Sequence, residues 1–405
     1  MSGLTDGQRG AGHGRADPTP HGAVSSVPDG VADGGCINAA PAAGAAPAGR
    51  DPHGWTERSV LSRARWVSTM VTLTFITALV AMACMRFGAE PIGVVQAGRI
   101  LLAALRDGQA GIESFGSTGV ILLQVRLPRV LLSLMVGGCL AMVGVSLQAL
   151  LRNPLADPYV LGISSGASLG ASLAILLGIG TTILAVSALP LCAFAGALVS
   201  IILVYRIAAA YGRLPVHTLL LAGVILNAVF SALIMFATSL MDPTRSFTMM
   251  FWLMGTLTAP DYPALLVLAA YLLAGALILF RLARPLNLLT LGEESARSLG
   301  VEVETVKKRV FFTAALLTGA VVSVSGLIGF VGMVIPHAVR MVLGTDHRLL
   351  LPASTLVGGA FLTAADTVAR TLLAPAEIPV GVVTALAGGP FFIYLLMYRR
   401  GGLAL

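Results

Sequence analysis

Few residues in this 405-residue chain could make or break bonds, and they are not grouped as catalysis requires. The four cysteines, Cys36, Cys84, Cys139 and Cys192, lie roughly fifty residues apart with no CxxC pair, so neither a zinc site nor a disulfide framework is indicated. They read as small apolar packing residues. The only lysines, Lys307 and Lys308, sit in Val306-Lys-Lys-Arg-Val310, and no P-loop sequence surrounds them; the chain has no phosphate cradle of its own. His13, His21 and His53 are scattered through a Gly/Ala/Pro-rich stretch, and His337 follows Pro336 with no carboxylate or histidine cluster beside it. Asp366 is the one carboxylate well inside an apolar run. An intramembrane carboxylate could couple transport to protons or sodium, but Arg370 stands one helical turn later as a ready i,i+4 partner, which is poor equipment for ion coupling. The residues therefore describe a non-enzyme with a membrane role, and an ion-coupled secondary transporter is the alternative reading.

The elements that must position these residues are membrane spans. The chain is 56% hydrophobic and 11% charged, against about 25% charged in ordinary soluble domains, and the apolar residues fall in runs long enough to cross a bilayer. Residues 1–60 differ: they are rich in Gly, Ala and Pro, lack apolar periodicity and a signal-peptide core, and read as a disordered extension before a 61–405 membrane domain. Ten spans are predicted, at about 67–87, 128–151, 158–179, 182–205, 215–241, 262–281, 309–328, 330–343, 350–373 and 379–398. The run 311–343 is too long for one helix and is divided near Gly326–Gly329. Arginines flank both ends of this series, at Arg58, Arg63 and Arg65 and at Arg399 and Arg400, which puts both termini in the cytoplasm. Sixteen Lys and Arg then face inward, against seven outward: Arg86, Arg99, Arg106, Arg126, Arg129, Arg245 and Arg370. The net charge of +7 belongs to these inner loops and not to nucleic-acid binding, since no basic cluster is interleaved with aromatics. Spans rich in Gly, Ala and Ser, such as Gly162–Ser172, predict close helix packing.

Two stretches carry more than span chemistry. Arg126 and Arg129, spaced i,i+3, share one face at the outer mouth of the second span, with Pro128 suited to a first helical turn. They could snorkel to lipid headgroups or present charge to a partner. The longest inner loop contains Leu291-Gly-Glu-Glu-Ser-Ala-Arg-Ser-Leu-Gly300, a short helix in outline, with Glu293 and Glu294 in the first turn and Gly300 as its stop. Leu291, Ala296 and Leu299 give it an apolar flank, suited either to the membrane surface or to a groove on a cytoplasmic partner.

Arg-Leu-Pro-Arg (126–129), Leu-Gln-Ala-Leu-Leu-Arg-Asn-Pro-Leu-Ala-Asp-Pro (147–158), Leu-Gly-Ile-Ser-Ser-Gly-Ala (161–167), Phe-Trp-Leu-Met-Gly (251–255), the Leu291–Val301 loop, Gly-Phe-Val-Gly-Met-Val-Ile-Pro-His (329–337) and Pro-Val-Gly-Val-Val-Thr-Ala (379–385) follow in one order. The chain resembles, over about residues 60–400, the FecCD-type permeases, membrane subunits of ATP-binding-cassette importers for ferric siderophores, haem and cobalamin. The resemblance implies an all-α, ten-helix, type II importer permease fold in the bacterial inner membrane, paired as a homodimer around one pathway. Two cytoplasmic ATPase subunits would hold MgATP, a periplasmic substrate-binding protein would dock outside, and this chain would bind no cofactor or metal; ferric siderophore is the leading cargo. The resemblance makes residues 291–300 the coupling helix, with Leu291, Gly292, Glu293, Glu294, Ala296, Leu299 and Gly300 meeting the ATPase. Arg126, Arg129 and Arg370 would face glutamates of the binding protein, the alternative for Arg370 being an i,i+4 pair with Asp366. The cytoplasmic gate would be built from Asn153, Leu155, Val216 and His217, where His217 could equally be an interfacial loop residue. Met249, Met250, Phe251, Trp252 and Met254 offer a soft apolar pathway lining, or simple packing and lipid contact.

Overall fold

The centre of the molecule is a helix whose whole circumference is apolar. In the computed structural model α4 (Leu127–Leu151) is buried along nearly its full length, the position such a helix must take in a multi-helix bundle. The structure describes residues 62–88, 93–179, 182–183, 186–209 and 213–398. Contacts divide the chain into Met1–Arg58 and Ser59–Leu405; the proposed extension at 1–60, with Cys36, His13, His21, His53 and Arg58, lies outside the described residues, as do Arg399 and Arg400.

Ahead of α4 come α1 (Arg63–Arg86), α2 (Val94–Glu113) and α3 (Gly116–Val120), the last running through a π-helical turn (Ile121–Arg126) directly into α4. After α4, a 3₁₀ turn (Pro158–Leu161) leads to α5 (Ile163–Leu176), then a two-residue hairpin β1 (Thr182–Ile183) and β2 (Val186–Ser187). There follow α6 (Ala188–Ala208), α7 (Val216–Ser239), α8 (Pro243–Leu253), α9 (Tyr262–Arg281), α10 (Ala283–Leu289), α11 (Glu293–Ser298), α12 (Val303–Ser325), α13 (Val331–Leu343), α14 (His347–Thr371) and α15 (Val380–Tyr398).

Seven helical runs among the described residues are long and apolar enough to cross a membrane: α1, α3–α4, α6, α7, α9, α12 and α14. The other three expected spans are the shorter apolar helices α5, α13 and α15. The predicted break between α12 and α13 falls at Gly326, with φ +65, and Phe330, with φ +69, caps the start of α13. Among the described residues four helices were not expected: α2, the short α3 and α10, and α8. In α2, apolar residues alternate with Gln96, Arg99, Arg106 and Asp107, so a search for long apolar runs passes over it; α8 is short and starts on the Asp242 cap, whose side chain accepts from the Arg245 N–H at 3.0 Å.

α14 lies along α4, and small residues set their separation. A Cβ on Gly358 would stand 2.6 Å from the Gly137 carbonyl oxygen, so glycine is what allows the two backbones to meet. Helix ends sort into two groups. The α1 C-terminus, the start of α4 and the end of α14 meet through Arg126, Arg129 and Arg370. The end of α4 meets the starts of α11, α12 and α14 and the end of α13 around Arg152, Glu293, Lys307, Arg340 and His347.

Candidate functional site

At the Arg152 end, α11 is bracketed by two glycines in conformations that favour glycine, Gly292 at φ +120 and Gly300 at φ +82. They allow a six-residue helix to turn sharply out of the bundle and back into α12. The expected apolar flank divides: Ala296 is fully buried and anchors the helix, while Leu291 and Leu299, at 65% and 59% exposure, project from it. A helix of under two turns cannot hold all three on one stripe when the leucines lie beyond its ends. The two glutamates divide as well. Glu294 is exposed, whereas Glu293 turns inward, 3.3 Å from the Arg152 Nη2 and 3.3 Å from the Lys307 Nζ. Lys307 is buried and also reaches Glu304 at 2.9 Å; the other Glu304 oxygen accepts the Leu214 N–H at 2.8 Å.

The Asn-Pro-Leu turn begins where α4 ends. Arg152 closes the helix in the left-handed region at φ +47, and the Asn153 Oδ1 accepts the Leu155 N–H at 2.9 Å, an Asx turn that leaves Leu155 exposed. Asp157, in the loop before the 3₁₀ turn, accepts the Tyr159 N–H at 2.9 Å; burial pushes its carboxyl up to about 6, the hydrogen bond from Tyr159 opposing this. Val216 opens α7 behind Pro215, half-buried, and His217 is exposed. Among the described residues no hydrogen bond joins Asn153 or Leu155 to Val216 or His217. What connects the two segments is the charge network: Arg152 precedes the first, Leu214 precedes the second, and both reach Glu293 and its partners. Sequence reasoning missed Arg152, Lys307 and Glu304. A signal existed, since Glu304 and Lys307 stand i,i+3 just ahead of the predicted 309–328 span.

At the other end the three arginines that the resemblance turns toward a binding protein also make contacts within the bundle. Arg126 is 5% exposed and donates to the main-chain carbonyls of Met85 and Arg86, closing the end of α1. Arg370 is half-buried, donating to the Cys84 carbonyl at 2.7 Å and lying 3.7 Å from Asp366. Arg129 reaches an exposed carboxylate at the mouth. It clasps Asp366 with Nε and Nη2 at 2.9–3.1 Å and turns Nη1 to Glu377, which is 57% exposed. Among the contacts of the described residues, Arg126 and Arg129 thus go to different helices despite their i,i+3 spacing. The helical run starts at Gly116 and passes through a π-turn at Ile121–Arg126, so Arg126 lies inside it rather than at a free first turn. Asp366, 2% exposed and held by two arginines, is a structural counterion, which is poor equipment for carrying an ion.

The expected pathway lining also divides. Met249, fully buried, and Trp252 pack into the core, while Met250 and Phe251 on the opposite side of α8 are exposed and Met254 is half-buried at its end. Phe251 packs against Phe247 with ring centroids 4.7 Å apart and the planes tilted by 46°. Cys84 and Cys139 are buried and Cys192 half-buried, and none of the three is in a disulfide. Among the described residues no three His, Cys, Asp or Glu side chains stand together to hold a metal ion.

Residues 73–398 match the FecCD transport family. The chain belongs to that family. It is 43% identical over 338 residues to a cobalamin import system permease protein of Halobacterium salinarum, covering 79% of this chain and 89% of that one. It is 44% identical over 281 residues to a hemin transport system permease protein of Yersinia pestis, covering 69% and 84%. Among solved structures, an inward-facing conformation of a metal-chelate type ABC transporter aligns with a TM-score of 0.68 at 32% identity, over 82% of this chain and 99% of that one. This FecCD permease is therefore an all-α, multi-pass inner-membrane subunit with the type II importer fold. It is not itself an enzyme: ATP hydrolysis belongs to a separate subunit, and the permease works with ATPase and substrate-binding partners and in a dimer.

Proposed function

We propose that this permease forms a homodimer whose central pathway carries a bulky metal chelate from the periplasm to the cytoplasm. Two partner subunits hold MgATP, and this chain binds no cofactor of its own. Both termini, with the Arg152 end, lie in the cytoplasm, since that orientation puts the excess of Lys and Arg inside. The observation that carries the reading is α11: a short helix anchored by Ala296 and Glu293, offering Leu291 and Leu299 to a partner. Exposed apolar residues around a fixed anchor are what a groove on another protein requires. At the outer face, a carboxylate of the binding protein takes the place of Glu377 on Arg129, while Arg126 and Arg370 hold the mouth in shape. Asn153, Leu155, Val216 and His217 close the pathway across the dimer axis, and Met250, Phe251 and Met254 face it. Among chelates, a metal macrocycle is the first cargo to test, because the permeases of 43% and 44% identity are named for cobalamin and hemin; ferric siderophore is the next. The test is uptake into proteoliposomes holding the permease, its ATPase and its binding protein, with labelled cobalamin, haem and ferric siderophore offered separately. Uptake of one of them that needs ATP at the ATPase face is expected. Uptake driven by an ion gradient without ATP would overturn the reading.

A further inference from the structure

We propose that Glu293, Lys307 and Glu304 form a charge linkage through which one movement of α11 displaces both gate segments together. The inference rests on the reading of α11 as the ATPase contact and adds the route that leads away from it. Two branches leave Glu293. One crosses 3.3 Å directly to Arg152, the residue before Asn153. The other runs 3.3 Å to Lys307, 2.9 Å on to Glu304, and from Glu304 to the main-chain N–H of Leu214 at 2.8 Å, two residues before Val216 opens α7. Arg297 stands 3.9 Å from both Glu293 and Glu304 and closes the network on its solvent side.

Three features suit these residues to transmit motion rather than merely decorate a surface. Lys307 is 3% exposed, so its ammonium depends on the two carboxylates, and separating them would strand a buried charge. The starts of α11 and α12 therefore move as one body. Arg152 closes α4 at φ +47, where the N–H groups of Arg152 and Asn153 bond back to the Ala149 and Gln148 carbonyls, so a pull on its side chain by Glu293 acts directly on that turn. Leu214 is buried, so its N–H has no access to water and is satisfied by Glu304. When α11 shifts in its groove, Glu293 draws the Asn-Pro-Leu turn through Arg152, and Glu304, tied to Glu293 by Lys307, draws the head of α7 through the Leu214 N–H. These are positioning residues: none needs to touch cargo or nucleotide.

The experiment measures cargo imported and ATP hydrolysed in the same proteoliposomes, with permease, ATPase and binding protein present. The variants are Lys307→Met, Arg152→Gln, Glu304→Gln and the conservative Lys307→Arg. The linkage predicts that the ATPase still co-purifies with each variant and that hydrolysis stays within about twofold of the parent. Cargo moved per ATP falls about tenfold in Lys307→Met, by a lesser factor in Arg152→Gln and Glu304→Gln, which each cut one branch, and recovers in Lys307→Arg. If Lys307→Met does not survive extraction, the two single-branch variants decide between the outcomes. An unchanged ratio of cargo to ATP in an intact complex overturns the linkage and leaves the importer reading standing. So does a parallel loss of both activities, which marks the residues as assembly contacts. If the unmodified complex shows no ATP-dependent uptake of any chelate, the importer reading itself has failed, and the linkage with it.

Discussion

Replacing Asp366 with asparagine should destabilise the outer mouth more than any other single neutralisation there. The side chain is 2% exposed and accepts three contacts from Arg129 at 2.9–3.1 Å, while Arg370 lies 3.7 Å away. Two guanidinium groups, 15% and 8% exposed, thus share one buried carboxylate. Removing one partner of a buried pair costs about 3–5 kcal/mol, because the other charge is left without compensation. Arg129 keeps Glu377 at 3.0 Å and the amide oxygen still accepts a hydrogen bond, so the low end of that range, about 3 kcal/mol, is expected. The internal control is Glu377→Gln. Its carboxylate is 57% exposed, which places it among surface ion pairs worth roughly 0–1 kcal/mol. The assay is unfolding of the detergent-solubilised permease by added SDS, followed by far-UV circular dichroism. A second substitution, Arg370→Met in the Asp366→Asn background, removes one stranded cation and should recover part of the loss. A cost below about 1 kcal/mol for Asp366→Asn, or equal costs for the two carboxylates, would refute the claim that Asp366 organises this end.

Other consequences follow from the opposite end. Changing Leu291 and Leu299 together to aspartate should abolish co-purification of the ATPase while leaving the SDS unfolding midpoint within error. Each leucine is exposed in the free subunit, and burying one on a partner contributes about 1.5–3 kcal/mol. Retention of the ATPase by that variant would remove α11 from the interface. The Asp157 carboxyl, raised from 3.8 to about 6, has a folded pKa above its unfolded one. Its contribution to stability is therefore complete below about pH 4 and is lost as pH rises through about 6. Asp157→Asn should flatten stability across this window, as read by unfolding midpoints at pH 5 and pH 7.5; an unaltered pH dependence would show that Asp157 ionises freely.

The spans were legible because a membrane helix writes its constraint locally. Some twenty residues must be apolar whatever they pack against, and the Gly326 break and the Gly292 and Gly300 brackets show in residue type because few other residues adopt those φ angles. The membership of the family was equally legible, carried by short motifs in fixed order. Amphipathic α2 was not, because a search for uninterrupted apolar runs is blind to a helix with only one greasy face.

Direction and partnership belonged to the tertiary structure. The sequence placed Arg126, Arg129 and Arg370 at one end of the bundle, yet only the packing of α1, α4 and α14 decided that Arg126 closes α1, that Arg370 turns in to the Cys84 carbonyl, and that Arg129 reaches the exposed carboxylate of Glu377. It placed two glutamates side by side in α11, but which one turned inward depended on Arg152 and Lys307, 141 and 14 residues away. It grouped Met249 and Trp252 with Met250 and Phe251, and the fold separated them into core and exposed face. The physical reason is common to all three. Residue type fixes what a side chain costs to bury or charge, but whether that cost is met depends on a partner supplied by a distant part of the chain.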